Sequence, residues 1–161
     1  MLQATMDSPI GPLALFVDQG LLVGVYFETS RHPAPLAPVA KIAADPVFDA
    51  TRRQLDAYFA GRRRSFDLPL GPHGAPFQTR VWRALMDIPF GETTTYGAIA
   101  AKLGAPQAAR AVGGAVGRNP IGIIVPCHRV IGADGSLTGF GGGLERKEKL
   151  LGLERGQLRL M

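Results

Sequence analysis

Cys127 is the only cysteine in the 161 residues of this chain, and it lies in an apolar run directly before His128. A lone thiol cannot form an internal disulfide or a multi-cysteine metal site. Cys127 is therefore either an inert small hydrophobic residue or a buried nucleophile whose thiolate is favoured by His128 and Arg129. Strand alternation would separate Cys127 from His128, so the second interpretation requires an irregular turn, for which Pro126 is suited.

The composition is that of a globular protein, with 46% hydrophobic and 19% charged residues. No apolar run approaches the roughly 18 residues of a membrane span, and no basic segment followed by an apolar stretch marks a secretory signal. A single cysteine without an export signal favours the reducing cytoplasm. Residues 1–75 have no net charge, whereas residues 76–161 hold eleven Lys or Arg and six Asp or Glu. This excess indicates either a polyanionic partner or a merely basic surface.

Residues 1–75 are predicted to form a small domain made of a sheet and one helix. Apolar runs on either side of a turn at 18–20 predict a hairpin. A proline-rich stretch over 31–44 predicts a loop. Asp45 followed by a proline predicts the start of a helix that ends near Gly61.

The Pro- and Gly-rich residues 68–75 are predicted to link this domain to a mostly helical domain over 76–161. In the second domain, Thr95 can cap a short helix, and Pro106 can start another one directly after a tight turn. Two short helices joined in this way give residues 95–117 the outline of a helix-turn-helix.

The second helix of this pair is almost bare of side chains and carries one long cation, Arg110. Its small residues are Ala108, Ala109, Ala111, Gly113, Gly114, Ala115 and Gly117. One interpretation is tight packing against another helix, and the other is close approach to a groove of nucleic acid. A helix that reads the major groove would carry Asn, Gln or Arg at several positions. A smooth helix with one cation instead fits a narrow minor groove, with a single side chain inserted into the base stack.

Residues 126–130, preceded by residues 117–121, resemble the active-site signature of the O6-alkylguanine-DNA alkyltransferase (methylated-DNA–protein-cysteine methyltransferase) family. Further segments are similar to the family in the family order: residues 77–82, 88–93, 95–97, 109–113 and 137–143. The resemblance is strong over about residues 75–155 and looser in the N-terminal half. It implies an N-terminal α/β domain of ribonuclease-H-like shape and a winged-helix-like, helix-turn-helix DNA-binding domain.

The activity that this resemblance implies is direct DNA repair. A methyl or larger alkyl group would pass from O6-alkylguanine, and by extension from O4-alkylthymine, to Cys127 in a single turnover without a cofactor. The damaged nucleotide would be flipped out of DNA that is bound through its minor groove. The partner would be double-stranded DNA with alkylated bases. We expect a monomer without an obligate protein partner, and self-association along DNA stays open.

The resemblance also implies roles for residues around the thiol. Cys127 would accept the alkyl group, His128 would act as its base through a water molecule, and Glu154 on the last helix would orient His128. Asn119 would brace the turn before the thiol, and Tyr96 would help to rotate the nucleotide and donate a proton to guanine. Without the resemblance, Glu154 is an ordinary surface residue, Asn119 part of a plain turn and Tyr96 a core-edge residue.

At the DNA, Arg110 would fill the gap that the extruded base leaves behind. The other residues expected to contact DNA are Thr95, Ala109, Gly113 and Arg118. The residues expected to form the base pocket are Pro126, Val130, Phe140 and Gly141. The backbone carbonyls of Cys127 and Val130 would accept from the exocyclic amine of guanine.

The chain departs from the family pattern at three places. Phe140 stands where the family often has tyrosine, and Gly141 stands where some members have serine, so both side-chain hydroxyls are missing from the pocket. The zinc site of some members is not expected, because the N-terminal half has no cysteine and His32 alone cannot replace it.

Three other functions compete with alkyl transfer. A damage-binding protein of the same fold would lack the acceptor cysteine, which this chain has. A helix-turn-helix transcription regulator would need a recognition helix richer in polar side chains. A cysteine hydrolase would turn over repeatedly on esters or amides.

Overall fold

The computed structural model describes residues 1–28, 41–138 and 140–160. The chain is mixed α/β, with the strands concentrated in the N-terminal half and the helices in the C-terminal half. His32 and most of the predicted proline-rich loop lie outside the described residues.

The N-terminal half contains a four-stranded sheet. Its strands are β1 (Leu2–Met6), β2 (Leu13–Asp18), β3 (Leu21–Phe27) and β4 (Lys41–Ile42), in the order β3-β2-β1-β4. The hairpin of β2 and β3 is confirmed, and its turn places Gln19 and Gly20 at φ values of 51° and 77°. The predicted loop over 31–44 is wrong at residues 41–42, which pair in parallel with β1. So short a strand has no apolar pattern of its own and forms only because the edge of β1 offers backbone partners.

Helix α1 (Pro46–Phe59) begins where the sequence predicts it. Asp45 Oδ1 accepts from the backbone N–H of Val47 at 2.8 Å, which satisfies one of the free donors of the first turn. The helix ends at Phe59 with Ala60 as its C-cap, and Gly61 follows with a φ of 77°. Its buried face packs on β2 and β3. That face carries Phe48, Thr51, Gln54, Leu55, Tyr58 and Phe59.

The C-terminal half contains helices α2 (Pro76–Met86), α3 (Tyr96–Lys102), α4 (Ala109–Gly117) and α5 (Leu144–Glu154). Thr95 caps α3 as predicted, because its hydroxyl accepts from Ala98 N–H at 3.1 Å. The predicted start of the next helix at Pro106 is wrong. Ala108 N–H donates to Ala105 O at 2.8 Å, so Pro106 occupies the second position of a β-turn, which proline also favours.

A small parallel sheet that the sequence did not predict ties α3 to the segment that carries the thiol. Its strands are β5 (Thr94–Thr95) and β6 (Val130–Ile131). Each has only two residues, so the pairing leaves no periodic signal in the sequence. It fixes the start of α3 beside the residues that follow Cys127.

The outer edge of β3 is covered by two segments of the chain that carry no strand pattern. Leu22 N–H donates to Pro69 O at 2.7 Å, and Gly71 N–H donates to Leu22 O at 2.9 Å. Further along β3, Val25 N–H donates to Pro120 O at 2.8 Å. The predicted linker and the approach to Cys127 are therefore both bonded to the N-terminal sheet, and one hydrophobic cluster spans both halves.

No helix in the described part of the chain is long and apolar enough to span a membrane.

Candidate active site

Cys127 lies in a single 3-10 turn, Cys127–Arg129. The approach to it is irregular, since Ile123 has a φ of 70°, a conformation that is strained for a β-branched residue. Cys127 is 7% exposed and His128 is 0% exposed, so both side chains face the interior. The irregular turn that a Cys–His partnership requires is present.

Asn119 holds the approach to the thiol in shape. Its side-chain Nδ2 donates to Val125 O at 2.8 Å and to Ile121 O at 3.3 Å, and its Oδ1 accepts from Ile121 N–H at 3.0 Å. A hydrogen bond from Asn119 also opposes the effect of burial on the pKa of Cys127. Asn119 therefore has the contacts that a brace of this turn needs.

His128 forms a buried pair with Glu154. His128 Nε2 is 2.6 Å from Glu154 Oε2, and both side chains have no exposed surface. Burial lowers the pKa of His128, although Glu154 opposes this shift. With an ionised Glu154, the neutral imidazole carries its proton on Nε2, and this tautomer is assigned from the hydrogen bond. Its buried Nδ1 has no hydrogen-bond partner among the described residues and is left as an acceptor.

Glu154 is the centre of a larger cluster than the sequence indicates. Arg129 Nε donates to Oε1 at 2.8 Å, and Arg129 Nη2 donates to Oε2 at 3.1 Å. Tyr58 Oη donates to Oε2 at 2.5 Å, and Gly91 N–H is 3.4 Å from Oε1. Burial would raise the pKa of Glu154, but hydrogen bonds from His128, Arg129 and Tyr58 outweigh it and lower the pKa. The carboxylate is therefore ionised in the interior.

Sequence reasoning assigned no role to Arg129 or Tyr58. Arg129 was noted only as a cation beside the thiol, and Tyr58 only as an apolar position of α1. The sequence does not show that Arg129 is buried. An arginine that is only 6% exposed requires an acidic partner, and here the partner is Glu154. Arg129 also donates to Ile88 O at 2.7 Å and lies over the Phe90 ring at 5.8 Å.

Lys147 is a second buried cation that the sequence did not reveal. It is 1% exposed, and its Nζ donates to Val130 O at 2.6 Å and to Thr138 O at 2.8 Å. Burial lowers the pKa of Lys147. Burial also raises the pKa of Cys127, whereas the nearby charge of Lys147 lowers it. The resting thiol therefore keeps its proton, and a base must remove that proton before the sulfur can act as a nucleophile.

A cavity of about 30 Å³ lies against Cys127. Its lining comes from both halves of the chain: Val25, Tyr26, Phe27, Val116, Gly117, Asn119, Gly122, Cys127, Phe140, Gly141 and Gly142. Of the predicted pocket residues, Phe140 and Gly141 belong to this lining, whereas Pro126 and Val130 do not. Phe27 and Phe140 contact edge to face, with ring centroids 5.8 Å apart. A Cβ at Gly142 would lie 2.5 Å from Phe27, so the wall is packed tightly at this point.

Helices α3 and α4 pack together and present the bare surface that the sequence predicts. Arg110, Gly114 and Arg118 are exposed, and a Cβ added at Gly114 would meet nothing within 4 Å. Tight packing therefore does not explain the glycines of this face. Ala109 and Gly113 are half-buried on the same helix.

Tyr96 lies at the junction of α3, α4 and the segment after the thiol. Its hydroxyl donates to Thr138 O at 3.2 Å, and a Cβ at Gly113 would lie 3.8 Å from its ring. Tyr96 is half-buried and, among the described residues, stands outside the cavity lining. Cys127 lines this cavity and Tyr96 does not.

Two sequence families of known proteins match nearly the whole chain. The 6-O-methylguanine DNA methyltransferase ribonuclease-like domain matches residues 1–72, and the DNA-binding domain of the same proteins matches residues 76–156. The chain belongs to the 6-O-methylguanine DNA methyltransferase family. The family and the fold class predicted from the sequence are thereby confirmed.

Relatives support the assignment over at least nine-tenths of their own length. The methylated-DNA–protein-cysteine methyltransferase of Methanosarcina acetivorans is 51% identical over 154 residues, which are 96% of this chain and 98% of that protein. The protein of the same name from Mycobacterium tuberculosis is 52% identical over 158 residues, covering 94% and 90%. The crystal structure of Mycobacterium tuberculosis OGT in complex with DNA superposes with a TM-score of 0.89 at 49% identity, covering 98% and 94%.

Within the described residues, no group of three His, Cys, Asp or Glu side chains is placed to hold a metal ion.

The buried Arg129–Glu154 pair should dominate the stability of the site. Replacing Arg129 with Met leaves an unpaired carboxylate in the interior, which we expect to lower the free energy of unfolding by about 3 kcal/mol. Lys102→Met is the matched control: it breaks an exposed ion pair with Asp87 and should cost less than about 1 kcal/mol. Urea unfolding measures both variants. Equal losses in the two variants would show that Glu154 is not a buried charge.

Stability should also fall on both sides of neutral pH. The pKa of His128 lies below its ordinary 6.5 in the folded chain, so the unfolded chain binds more protons below pH 6.5 and stability falls as the pH drops. The pKa of Cys127 lies above its ordinary 9.0, so stability falls as the pH rises beyond 9.0. Urea unfolding across pH 5–10 checks this profile. In Cys127→Ala, the loss of stability should begin at a higher pH than in the wild-type protein. If the loss of stability above pH 9.0 is unchanged in this variant, groups other than Cys127 cause it.

Proposed function

We propose that this protein repairs DNA by transferring an alkyl group from O6 of guanine to Sγ of Cys127, once per molecule. The observation that supports this most is the buried His128–Glu154 pair, next in the chain to the lone thiol, with a His128 Nδ1 that has no hydrogen-bond partner among the described residues. The names of the relatives point to the same reaction.

The proposed reaction begins with removal of the thiol proton. Neutral His128 accepts this proton at Nδ1 through one water molecule, while Glu154 holds Nε2–H and stabilises the imidazolium that forms. The fixed charge of Lys147 favours the thiolate. Arg129 keeps Glu154 ionised, so that the carboxylate does not take the proton itself.

The sulfur then attacks the alkyl carbon in line with the carbon–oxygen bond. A carbon–sulfur bond forms, the carbon–oxygen bond breaks, and the electron pair of that bond stays on the guanine. Tyr96 gives the departing guanine a proton and recovers one from solvent. The product is a thioether on Cys127, which water does not cleave under mild conditions, so each molecule reacts once.

The target base must leave the duplex, because the sulfur cannot reach O6 within the base stack. We propose that α4 enters the minor groove with its bare face and that Arg110 fills the gap in the stack. Thr95, Ala109, Gly113 and Arg118 would border this contact. The Mycobacterium tuberculosis structure in complex with DNA supports DNA as the partner.

The cavity beside Cys127 must open to receive the base. A volume of about 30 Å³ holds one water molecule, not a purine. Phe140 and Gly141 belong to no helix or strand, and we propose that this part of the wall moves. The resemblance implies that the backbone carbonyls of Cys127 and Val130 accept from the exocyclic amine of guanine. The Val130 carbonyl oxygen already accepts a hydrogen bond from Lys147 Nζ, so guanine must share this oxygen with Lys147.

The remaining sequence-based predictions form part of this proposal. The chain divides into domains over 1–75 and 76–161, with 68–75 as linker and the helix-turn-helix over about 95–117. The protein acts as a monomer in the cytoplasm without a cofactor, and O4-alkylthymine is a second substrate.

Intact-mass analysis tests the transfer directly. After incubation with duplex DNA that contains O6-methylguanine, we expect one added methyl per molecule, located on Cys127 by peptide mapping. Cys127→Ala should bind the same DNA without gaining a methyl. Repeated turnover without a modified protein would point to a hydrolase, and repair by Cys127→Ala would remove the thiol from the mechanism.

A duplex-specific defect tests the role of Arg110. Arg110→Ala should slow transfer from duplex DNA by about tenfold, because base extrusion costs a few kcal/mol that this side chain offsets. Transfer from a single-stranded oligonucleotide should stay near the wild-type rate. Arg53→Ala, which removes an exposed arginine of α1, is the charge-matched control and should have no effect on either substrate. An equal loss on both substrates would contradict insertion into the stack.

A further inference from the structure

The hydroxyl of Tyr58 reaches from α1, in the N-terminal half, into the charge cluster behind Cys127. It donates to Glu154 Oε2 at 2.5 Å, and the same oxygen is 2.6 Å from His128 Nε2. The Tyr58 side chain is fully buried, and the bond joins residues 96 positions apart in the chain. It is therefore a direct contact between the N-terminal half and the group that orients the base.

We propose that Tyr58 is a positioning residue for alkyl transfer, whose hydroxyl holds Glu154 Oε2 in the place that His128 Nε2 requires. This inference rests on the proposed function, in which His128 is the base. Arg129 holds Oε1 at 2.8 Å but reaches Oε2 only at 3.1 Å. Among the described donors, Tyr58 gives Oε2 its shortest hydrogen bond, so it sets the direction in which this oxygen faces the imidazole.

The donor role of Tyr58 persists across neutral pH. Burial and the charge of Glu154 raise the pKa of Tyr58 well above its ordinary 10.0, so the hydroxyl keeps its proton. Glu154 raises the pKa of His128 through its hydrogen bond and its charge. Without Tyr58, Oε2 is held less firmly at His128 Nε2, so the loss of Tyr58 should lower the pKa of His128.

The other charged groups around His128 would not compensate for this loss. Glu154 and Lys147 face it from α5, and Arg129 and Cys127 share its turn. Lys147 and Arg129 both lower the pKa of His128, and their positions are held by separate backbone carbonyls. Among the described hydrogen bonds to Glu154, the one from Tyr58 is the only one that α1 supplies.

The test compares two variants of α1 that each remove one buried hydroxyl. Tyr58→Phe keeps the ring in contact with Phe59, Phe66 and Phe90. Thr51→Val is the control: Thr51 is also fully buried, but its hydroxyl donates to Val47 O within the helix, at 2.7 Å.

The first measurement is the single-turnover rate of transfer from duplex O6-methylguanine. In metal sites, loss of a partner that orients a histidine costs about 10- to 100-fold in activity. By analogy, and because Arg129 still holds Glu154, we expect a loss of about tenfold for Tyr58→Phe. Thr51→Val should react at the wild-type rate. A normal rate in Tyr58→Phe, or an equal loss in both variants, would overturn the proposal.

The second measurement separates positioning from packing. The imidazole of His128 is titrated by NMR, and the thiol is titrated by its rate of reaction with iodoacetamide, which reports Cys127 alone because the chain has no other cysteine. Tyr58→Phe should move the His128 titration to lower pH, and Thr51→Val should not. A rate loss without this shift would overturn the proposal. If the wild-type protein does not take a methyl group from DNA, the proposed function is wrong. The titration of His128 would still show whether Tyr58 positions Glu154 against His128.

Discussion

An ionised carboxylate in the interior is the constraint on which the rest of this structure depends. Glu154 is ionised in the interior only because Arg129, His128 and Tyr58 all direct hydrogen-bond donors at it. These donors come from α1 and from the turn that bears the thiol, so the charge can be satisfied only when distant parts of the chain are assembled. The His128–Glu154 pair is therefore assembled only when these parts of the chain have folded together.

The second constraint is the outer edge of β3. An uncovered edge would present unpaired N–H and C=O groups, and here the backbone of residues 69–71 and 120–122 takes their place. Because residues 120–122 lead directly to Cys127, their hydrogen bonds to β3 fix where the turn that bears the thiol begins relative to the N-terminal sheet. Phe27, at the end of the same strand, then forms part of the cavity wall. The N-terminal half thus contributes to the geometry of the site although its sequence shows no cluster of reactive side chains.

Local signals in the sequence predict the long elements of this fold. The cap at Asp45, the hairpin at residues 18–20 and the cap at Thr95 are confirmed because each depends on neighbours within a few positions. The two-residue strands and the β-turn at Pro106 were missed, because partners far along the chain or competing roles of proline decide them. The same holds at the site: Cys127 and His128 stand out by type and adjacency, whereas Tyr58 and Lys147 gain their roles only through burial against groups that the sequence does not place beside them.

The open glycine and alanine surface of α4 has a consequence for how such a protein searches a genome. Apart from Arg110, the small residues of α4 offer no side chain that could distinguish one base pair from another by its edges. In the proposed minor-groove contact, this face would tolerate every neighbouring sequence equally, and the helix would move along the duplex without stopping at particular sequences. Discrimination would then depend on which nucleotide is extruded most readily, and a weakened base pair favours extrusion in any sequence context.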